Sequence, residues 1–347
     1  MAEKERWVDL GFAEECDPED VTNRYFPSKI GGKPAWLELK NLPSVEEITC
    51  LKCSEPRVFL CQIYAPIESN ENCFHRTIFV FICKTEQCQE ANSASNLVVY
   101  RSQLPRVNDY YSPEPPSEDE KLPPIPPLVK LCSVCGCHGP KLCSQCKKVS
   151  YCGQSHQKLD WKHHKKICQT NQTNPEPYSN SILFEEFELV MEQEPSLDTI
   201  SSQKEDEEEA ERRRLKEFQE LEKSGKVGDL KDLSETELAQ YVGTTEDDKL
   251  FRKFKKRIAL SPEQVLRYER GGKPLFITDK NVPDEIDIPK CENCGADRIF
   301  EFQITPQLLN VLKDENLDWG ILAVYTCLDS CNAKTGYVRE FVVKQDI

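Results

Sequence analysis

Residues 131–169 read LCSVCGCHGPKLCSQCKKVSYCGQSHQKLDWKHHKKICQ. Eight side chains in this stretch carry the spacing of metal ligands. Cys132 and Cys135 form a C-x2-C pair, Cys143 and Cys146 a second, Cys152 and His156 a C-x3-H pair, and His164 and Cys168 an H-x3-C pair. Such separations let two side chains reach one tetrahedral Zn²⁺ from a tight turn or a single helical turn. Eight ligands complete two sites of three cysteines and one histidine and leave no position open for water or substrate, which makes the zinc structural rather than hydrolytic. Cys137, His138 and His163 are spectators on this reading. So short a segment has almost no apolar core, and metal binding must supply most of its folding free energy.

The stretch resembles the MYND finger, through the four ligand pairs and through Tyr151, Trp161 and Lys165. The resemblance implies a cross-braced order. Cys132, Cys135, Cys152 and His156 would share one zinc, and Cys143, Cys146, His164 and Cys168 the other.

On both sides of the finger the same landmarks recur. Residues 26–37, FPSKIGGKPAWL, hold a GGKP, and Cys50 and Cys53 follow as a C-x2-C knuckle. The alternating run 58–66, VFLCQIYAP, reads as a strand ending in proline, and residues 75–82, HRTIFVFI, as a second strand running into Cys83 and Cys88. After the finger, residues 271–277 repeat GGKP, Cys291 and Cys294 repeat the knuckle, and residues 299–306, IFEFQITP, repeat the strand with its proline. Residues 319–326, WGILAVYT, then run into Cys327 and Cys331. Four landmarks in one order indicate an internal duplication.

The fold expected is therefore α+β and predominantly antiparallel β. One compact domain is built from two duplicated halves, 1–110 and 246–347, with the two-zinc finger of 131–169 inserted between them. In each half the paired cysteines bracket a hairpin, the zinc-ribbon arrangement. This points to a third zinc at Cys291, Cys294, Cys327 and Cys331 and a fourth at Cys50, Cys53, Cys83 and Cys88, so that zinc is the cofactor, with two ions in the finger and up to four in all. The alternative is that some of these cysteines are buried small apolar groups. The glycine pairs serve turns needing positive φ and not phosphate binding, because GGKP lacks the spacing of a phosphate loop.

Two connecting segments join these parts. Residues 111–130 are rich in proline and acid, and SPEPPSEDEKLPPIPPL (112–128) reads as an extended spacer. Residues 170–245 open with an alternating run, 182–190, that adds an edge strand, and continue as a flexible acidic tract. Order returns with Leu250, Phe251, Phe254 and Ile258 at helical spacing, and residues 261–264, SPEQ, look like the start of a second helix.

The 347 residues have a net charge of -15, which argues against sequence-specific nucleic-acid binding by the chain as a whole. No apolar run suggests a signal peptide or a membrane span. Eighteen cysteines then sit in a reducing compartment, where metal ligation explains them better than disulfides.

With both halves in view, the chain resembles the programmed cell death protein 2 family along nearly its whole length. The strings that carry this are FPSKIGGKPAWL (26–37), QLPRVNDYYSPEPPSE (103–118), CSVCGCHGPKLCSQC (132–146), SPEQVLRY (261–268), TPQLLN (305–310) and DWGILAVYTC (318–327). The resemblance implies a dedicated chaperone that escorts a newly made small-subunit ribosomal protein in cytoplasm and nucleus. Members without the finger imply that the finger is an insertion. An acidic protein suits a basic client, since charge complementarity raises association rates and suppresses wrong partners. The β-rich halves would supply a groove or a free strand edge for extended client segments.

The main alternative is an interaction scaffold in transcription or chromatin, because MYND fingers grip proline-containing peptides. Residues 131–169 hold seven lysines and one acid, and Tyr151 and Trp161 are candidate groove aromatics. An enzyme is not expected. Lysine methyltransferases that carry such a finger have an Asn-His-Ser/Cys signature and a cofactor glycine motif, both missing here, and no nucleophile triad or open metal site appears.

Overall fold

A computed structural model describes residues 7–115, 123–168, 182–195, 246–284, 287–333 and 335–346. The acidic tract 196–245, including EDEEEAERRRLKEF (205–218), lies outside the described residues. Ten strands close into an antiparallel barrel: β1 (Asp9–Glu14), β2 (Lys29–Ile30), β3 (Val58–Tyr64), β4 (His75–Ile82), β5 (Leu97–Leu104), β8 (Phe187–Gln193), β9 (Leu266–Tyr268), β10 (Arg298–Ile304), β11 (Ile321–Cys327) and β12 (Tyr337–Gln345). The order round the barrel is β1-β8-β2-β3-β4-β5-β12-β11-β10-β9. The short ribbon of β6 (Lys141–Leu142) and β7 (Ser150–Tyr151) belongs to the finger. Among the described residues the α-helices are α1 (Val45–Ile48), α2 (Gln154–Cys168), α3 (Glu246–Ile258) and α4 (Gln307–Leu312).

The two sequence-predicted strand pairs form as expected. β3 pairs with β4, and β10 with β11, each with a register shift inside its first strand, between Phe59 and Cys61 and between Phe300 and Phe302. The two sets meet at β5 and β12, where Ser102 lies opposite Tyr337 and Val99 opposite Glu340. Because neighbours alternate in direction from β4 through β5 and β12 to β11, β4 and β11 run oppositely. Cys83 at the end of β4 and Cys327 at the end of β11 therefore lie at opposite ends of the barrel.

Side-chain alternation sorts the barrel into an inside and an outside. Ile78, Val80 and Ile82 of β4 join Leu97 and Val99 of β5, Phe302 and Ile304 of β10, and Leu322 and Val324 of β11 in one interior apolar cluster. Leu308, Leu312 and Trp319 close that cluster at the end where β10 finishes. At the other end the interior turns polar, with Arg76, Arg101, Glu301 and Glu340 all buried. Outside, Phe79, Phe81, Val98 and Tyr100 pack beneath the finger, while Ile321, Ala323 and Tyr325 pack with Phe254 and Ile258 of α3.

Three expectations change, and one strand finds a partner that the sequence pattern did not assign. β8 is no edge strand: it lies between β1 and β2, and Lys29 of β2 pairs with Glu186 just before it. β1 comes from the first residues but pairs with β9, beyond the finger. No helix starts at Ser261. The Gln264 side chain donates to the carbonyls of Ser261 and Ile258, and the chain turns into β9 to complete the barrel. The proline segment is not a free spacer, for Asn23 exchanges two side-chain hydrogen bonds with the backbone of Ile125 and Leu128 donates to the Leu39 carbonyl. Tyr111, at the head of that segment, is buried and its hydroxyl donates to the carbonyls of Trp36 and Leu37.

Candidate metal centres

The finger begins with two knuckles. After Cys132–Cys135 the chain turns through Gly136 at φ +73, whose amide donates to the Cys132 carbonyl at 2.9 Å. After Cys143–Cys146 it turns through Lys147 at φ +55, whose amide donates to the Cys143 carbonyl at 2.9 Å. Cys152 follows β7 directly, and helix α2 supplies His156, His164 and Cys168. His156, Asp160, His164 and Cys168 recur every four residues and form its buried face. The Tyr151 hydroxyl donates to Asp160 at 2.7 Å and fixes the helix against the ribbon.

These elements bring together Cys132, Cys135, Cys152 and His156, and separately Cys143, Cys146, His164 and Cys168. In each group the ligand atoms all lie within 4.8 Å of one another. Cys135 and Cys152 are 3.8 Å apart, Cys143 and Cys168 3.9 Å, and His156 Nδ1 is 3.1 Å from the Cys152 sulfur. His164 presents the other nitrogen, Nε2, at 3.4 Å from Cys146. His156 Nε2 and His164 Nδ1 are buried without a hydrogen-bond partner among the described residues, and the opposite nitrogens, His156 Nδ1 and His164 Nε2, are the ones that face the sulfurs. Three thiolates and one imidazole at these separations suit zinc. Cys137 stays out of both groups, its sulfur toward the Cys135 carbonyl.

The cysteine pairs on either side of the finger also converge. Cys50, Cys53, Cys83 and Cys88 form one group and Cys291, Cys294, Cys327 and Cys331 another, again within 4.8 Å. Such groups of cysteines are able to bind zinc. Burial works against ionisation at Cys50, yet the backbone amides of Cys53 and Lys52 bring its thiol down to about 7. Cys61 and Cys73 are solitary buried thiols, as expected of core residues.

Sequence reading missed the arginines that hold these groups. Arg57, one residue before β3, donates to the carbonyls of Ile48, Thr49, Ser95 and Asn96, thereby clamping the chain that enters Cys50. Arg298, at the start of β10, donates to those of Pro289, Lys290 and Arg339 and clamps the chain that enters Cys291. Both open the strand pattern Arg-β-branched-Phe, a signal that was present in the sequence.

The finger is docked on the barrel. The Trp36 indole donates to the Gly136 carbonyl at 2.8 Å and Lys33 donates to the Ser133 carbonyl at 2.8 Å. Of the two candidate groove aromatics, Tyr151 is buried and takes no part in a surface groove. Trp161 is exposed and lines a cleft of about 350 Å³ with Ser144, Gln145, Gln157 and Lys158.

Residues 7–118 match the N-terminal domain of programmed cell death protein 2, residues 248–346 match its C-terminal domain, and residues 132–168 match the MYND finger. Programmed cell death protein 2 of Bos taurus is 43% identical over 357 residues, covering 98% of this chain and 96% of that one. That of Mus musculus is 43% identical over 354 residues, with the same coverage. The chain belongs to the programmed cell death protein 2 family. A further relative matches over a shorter span. "Probable 20S rRNA accumulation protein 4" of Schizosaccharomyces pombe is 36% identical over 110 residues, 27% of this chain and 28% of that one. No solved structure matches the chain.

Proposed function

We propose that this family member is a dedicated escort for a newly made, basic small-subunit ribosomal protein, acting without catalysis in cytoplasm and nucleus. The observation that carries this reading is the likeness to the fission-yeast protein named for 20S rRNA accumulation, which points toward ribosome biogenesis. The net charge of -15 supports it, since an acidic escort attracts a basic client and screens it from RNA. Among the described residues the barrel has no open edge for strand addition, so client contact falls to its surface grooves. We read residues 1–110 and 246–347 as duplicated halves. The equivalent placing of Arg57 with Arg298, and of Gln62 with Gln303, supports this. Each glutamine clamps the segment after its GGKP, at Ala35 and at Leu275 respectively.

The exposed Trp161 cleft, lined also by Lys158, favours a second reading: an interaction scaffold gripping proline-containing peptides in transcription or chromatin regulation. Affinity purification of the full-length protein, with nuclease treatment and quantitative mass spectrometry, separates the two. One basic small-subunit ribosomal protein near a one-to-one ratio, without the rest of the ribosome, is the result expected. A spread of proline-motif nuclear proteins with no such client would replace the escort by the scaffold.

A further inference from the structure

The finger and the barrel share one backbone device. In the finger, Cys132 opens a turn in which Gly136 donates to its carbonyl while its own amide donates to the Cys137 carbonyl at 2.7 Å. At Cys291 the Gly295 amide donates to the cysteine carbonyl at 2.8 Å, and the cysteine amide to Ala296 at 2.8 Å. At Cys50 the partners are Ser54 and Glu55, both at 2.9 Å. In all three turns the residue after the second cysteine has positive φ: Gly136 at +73, Gly295 at +80 and Ser54 at +61. Serine rarely adopts that conformation, and strain of this kind persists where surrounding structure enforces it.

The sulfur separations add a second observation. Four thiolates at about 2.3 Å from a tetrahedral zinc lie about 3.8 Å apart along each edge. Cys50–Cys88 is 3.8 Å and Cys53–Cys83 3.6 Å, while Cys291–Cys331 is 3.7 Å and Cys294–Cys327 3.5 Å. A disulfide requires about 2.05 Å, and no pair approaches it. Each group also meets polar hydrogens suited to a thiolate cage. Thr85 Oγ1 donates to Cys53 at 3.6 Å; Arg101 Nη2 and Asn293 Nδ2 donate to Cys331 at 3.6 and 3.1 Å. Buried arginines flank both groups and offset the double negative charge of a zinc tetrathiolate. They are Arg57, which faces Cys50 and Cys83, and Arg101.

We infer that Cys50, Cys53, Cys83 and Cys88, and likewise Cys291, Cys294, Cys327 and Cys331, each hold a structural zinc at opposite ends of the barrel, giving four zinc ions per chain. Each ion ties a knuckle to the end of a central strand, β4 or β11. The second site also ties the halves together, because Arg101 belongs to β5 and reaches a sulfur beyond β11.

The test is elemental analysis of the purified full-length protein, loaded with zinc under reducing conditions and desalted, together with X-ray absorption at the zinc edge. Four zincs per chain with about 3.5 sulfurs per zinc are expected, because two sites with three thiolates and two with four average to that value. Two zincs with about 3.0 sulfurs would overturn the inference. So would four zincs with about 1.5 sulfurs per zinc, the average if the extra ions sit on ligands without sulfur. Cys53→Ser and Cys294→Ser should each lower the count by about one; an unchanged count in either folded variant refutes the site it belongs to. The absorption measurement needs no variant to fold.

Discussion

Arg76 and Glu301, 225 residues apart in sequence, face each other inside the barrel through two hydrogen bonds, Nη1 to Oε1 at 2.7 Å and Nη2 to Oε2 at 2.9 Å. Neither side chain is exposed. Tyr268 donates to the same carboxylate at 2.7 Å, Thr326 bonds to it, and Arg270 stands 3.3 Å away. Burial pushes the Glu301 carboxyl up, but Arg76 beside it outweighs this and holds it below the usual carboxylate range. A second buried set, Arg101–Glu340–Arg298, crosses the junction of β5 with β12. The polar end of the barrel is thus held by ion pairs between the two parts of the chain.

Removing one partner leaves a buried charge alone. Glu301→Gln should lower unfolding free energy by about 3–5 kcal/mol. Arg76→Met combined with Glu301→Leu should recover only part of that loss, because Tyr268, Thr326 and Arg270 still lose their shared carboxylate. Denaturant titration checks both, and equal loss in the single and double variants would show that the network has a further role.

The finger should loosen without unfolding when Trp36 loses its donor. Trp36→Phe keeps an aromatic ring against Phe79 and Phe81 but strands the Gly136 carbonyl, a change of about 1–2 kcal/mol. Hydrogen exchange should speed up in residues 131–168 while β3, β4 and β10 stay protected, with zinc content unaltered.

His75 predicts an acid-side loss of stability. Burial depresses its pKa to about 4, under a Phe26 ring stacked at 4.0 Å and beside the Tyr64 hydroxyl at 3.1 Å. The unfolded chain, near 6.5, takes up the proton first. This contribution is therefore complete above about pH 6.5 and fades as pH falls toward about 4. His75→Phe should flatten the stability profile across that window, measured by denaturation midpoints from pH 4.5 to 7.

Trp161→Ala distinguishes the two readings of function. The ring is 38% exposed, so folding should change by less than about 0.5 kcal/mol. On the escort reading, recovery of the ribosomal-protein client stays at wild-type level; on the scaffold reading, capture of proline-motif peptides falls at least tenfold.

If the barrel sites hold zinc, they should release it unequally. Cys294 is exposed and Cys331 half-buried, whereas three of the four cysteines at the other end are buried. A chelator added to the full chain should therefore strip the Cys291 site of the C-terminal half before the Cys50 site. Cys294 and Cys331 should become alkylated earlier than Cys53, by peptide mass analysis.

Much of the site was legible because metal ligation is local in sequence. C-x2-C, C-x3-H and H-x3-C spacings follow from the reach of a turn or a helical turn, while the cross-braced sharing of the finger's pairs was implied by the family resemblance and not by spacing. Strands β3, β4, β10 and β11 were legible too, since apolar alternation is a property of adjacent residues. β8 and β9 were harder. β9 is three residues long behind a serine-proline turn that imitates a helix start, and nothing in β8 says that its partners are β1 and β2.

The sequence by itself determined which cysteines and histidines carry ligand spacing, where the long strands run and that two parts of the chain echo one another. Only the tertiary structure decided that the sheet closes, that the two four-cysteine groups sit at opposite ends, and that Trp36 seats the finger. The reason is physical: a period of two tells a strand which face is apolar, but not which strand lies beside it. Neighbours such as β5 and β12, or Arg76 and Glu301, are chosen by packing and charge pairing between distant residues, and those contacts exist only once the barrel has formed.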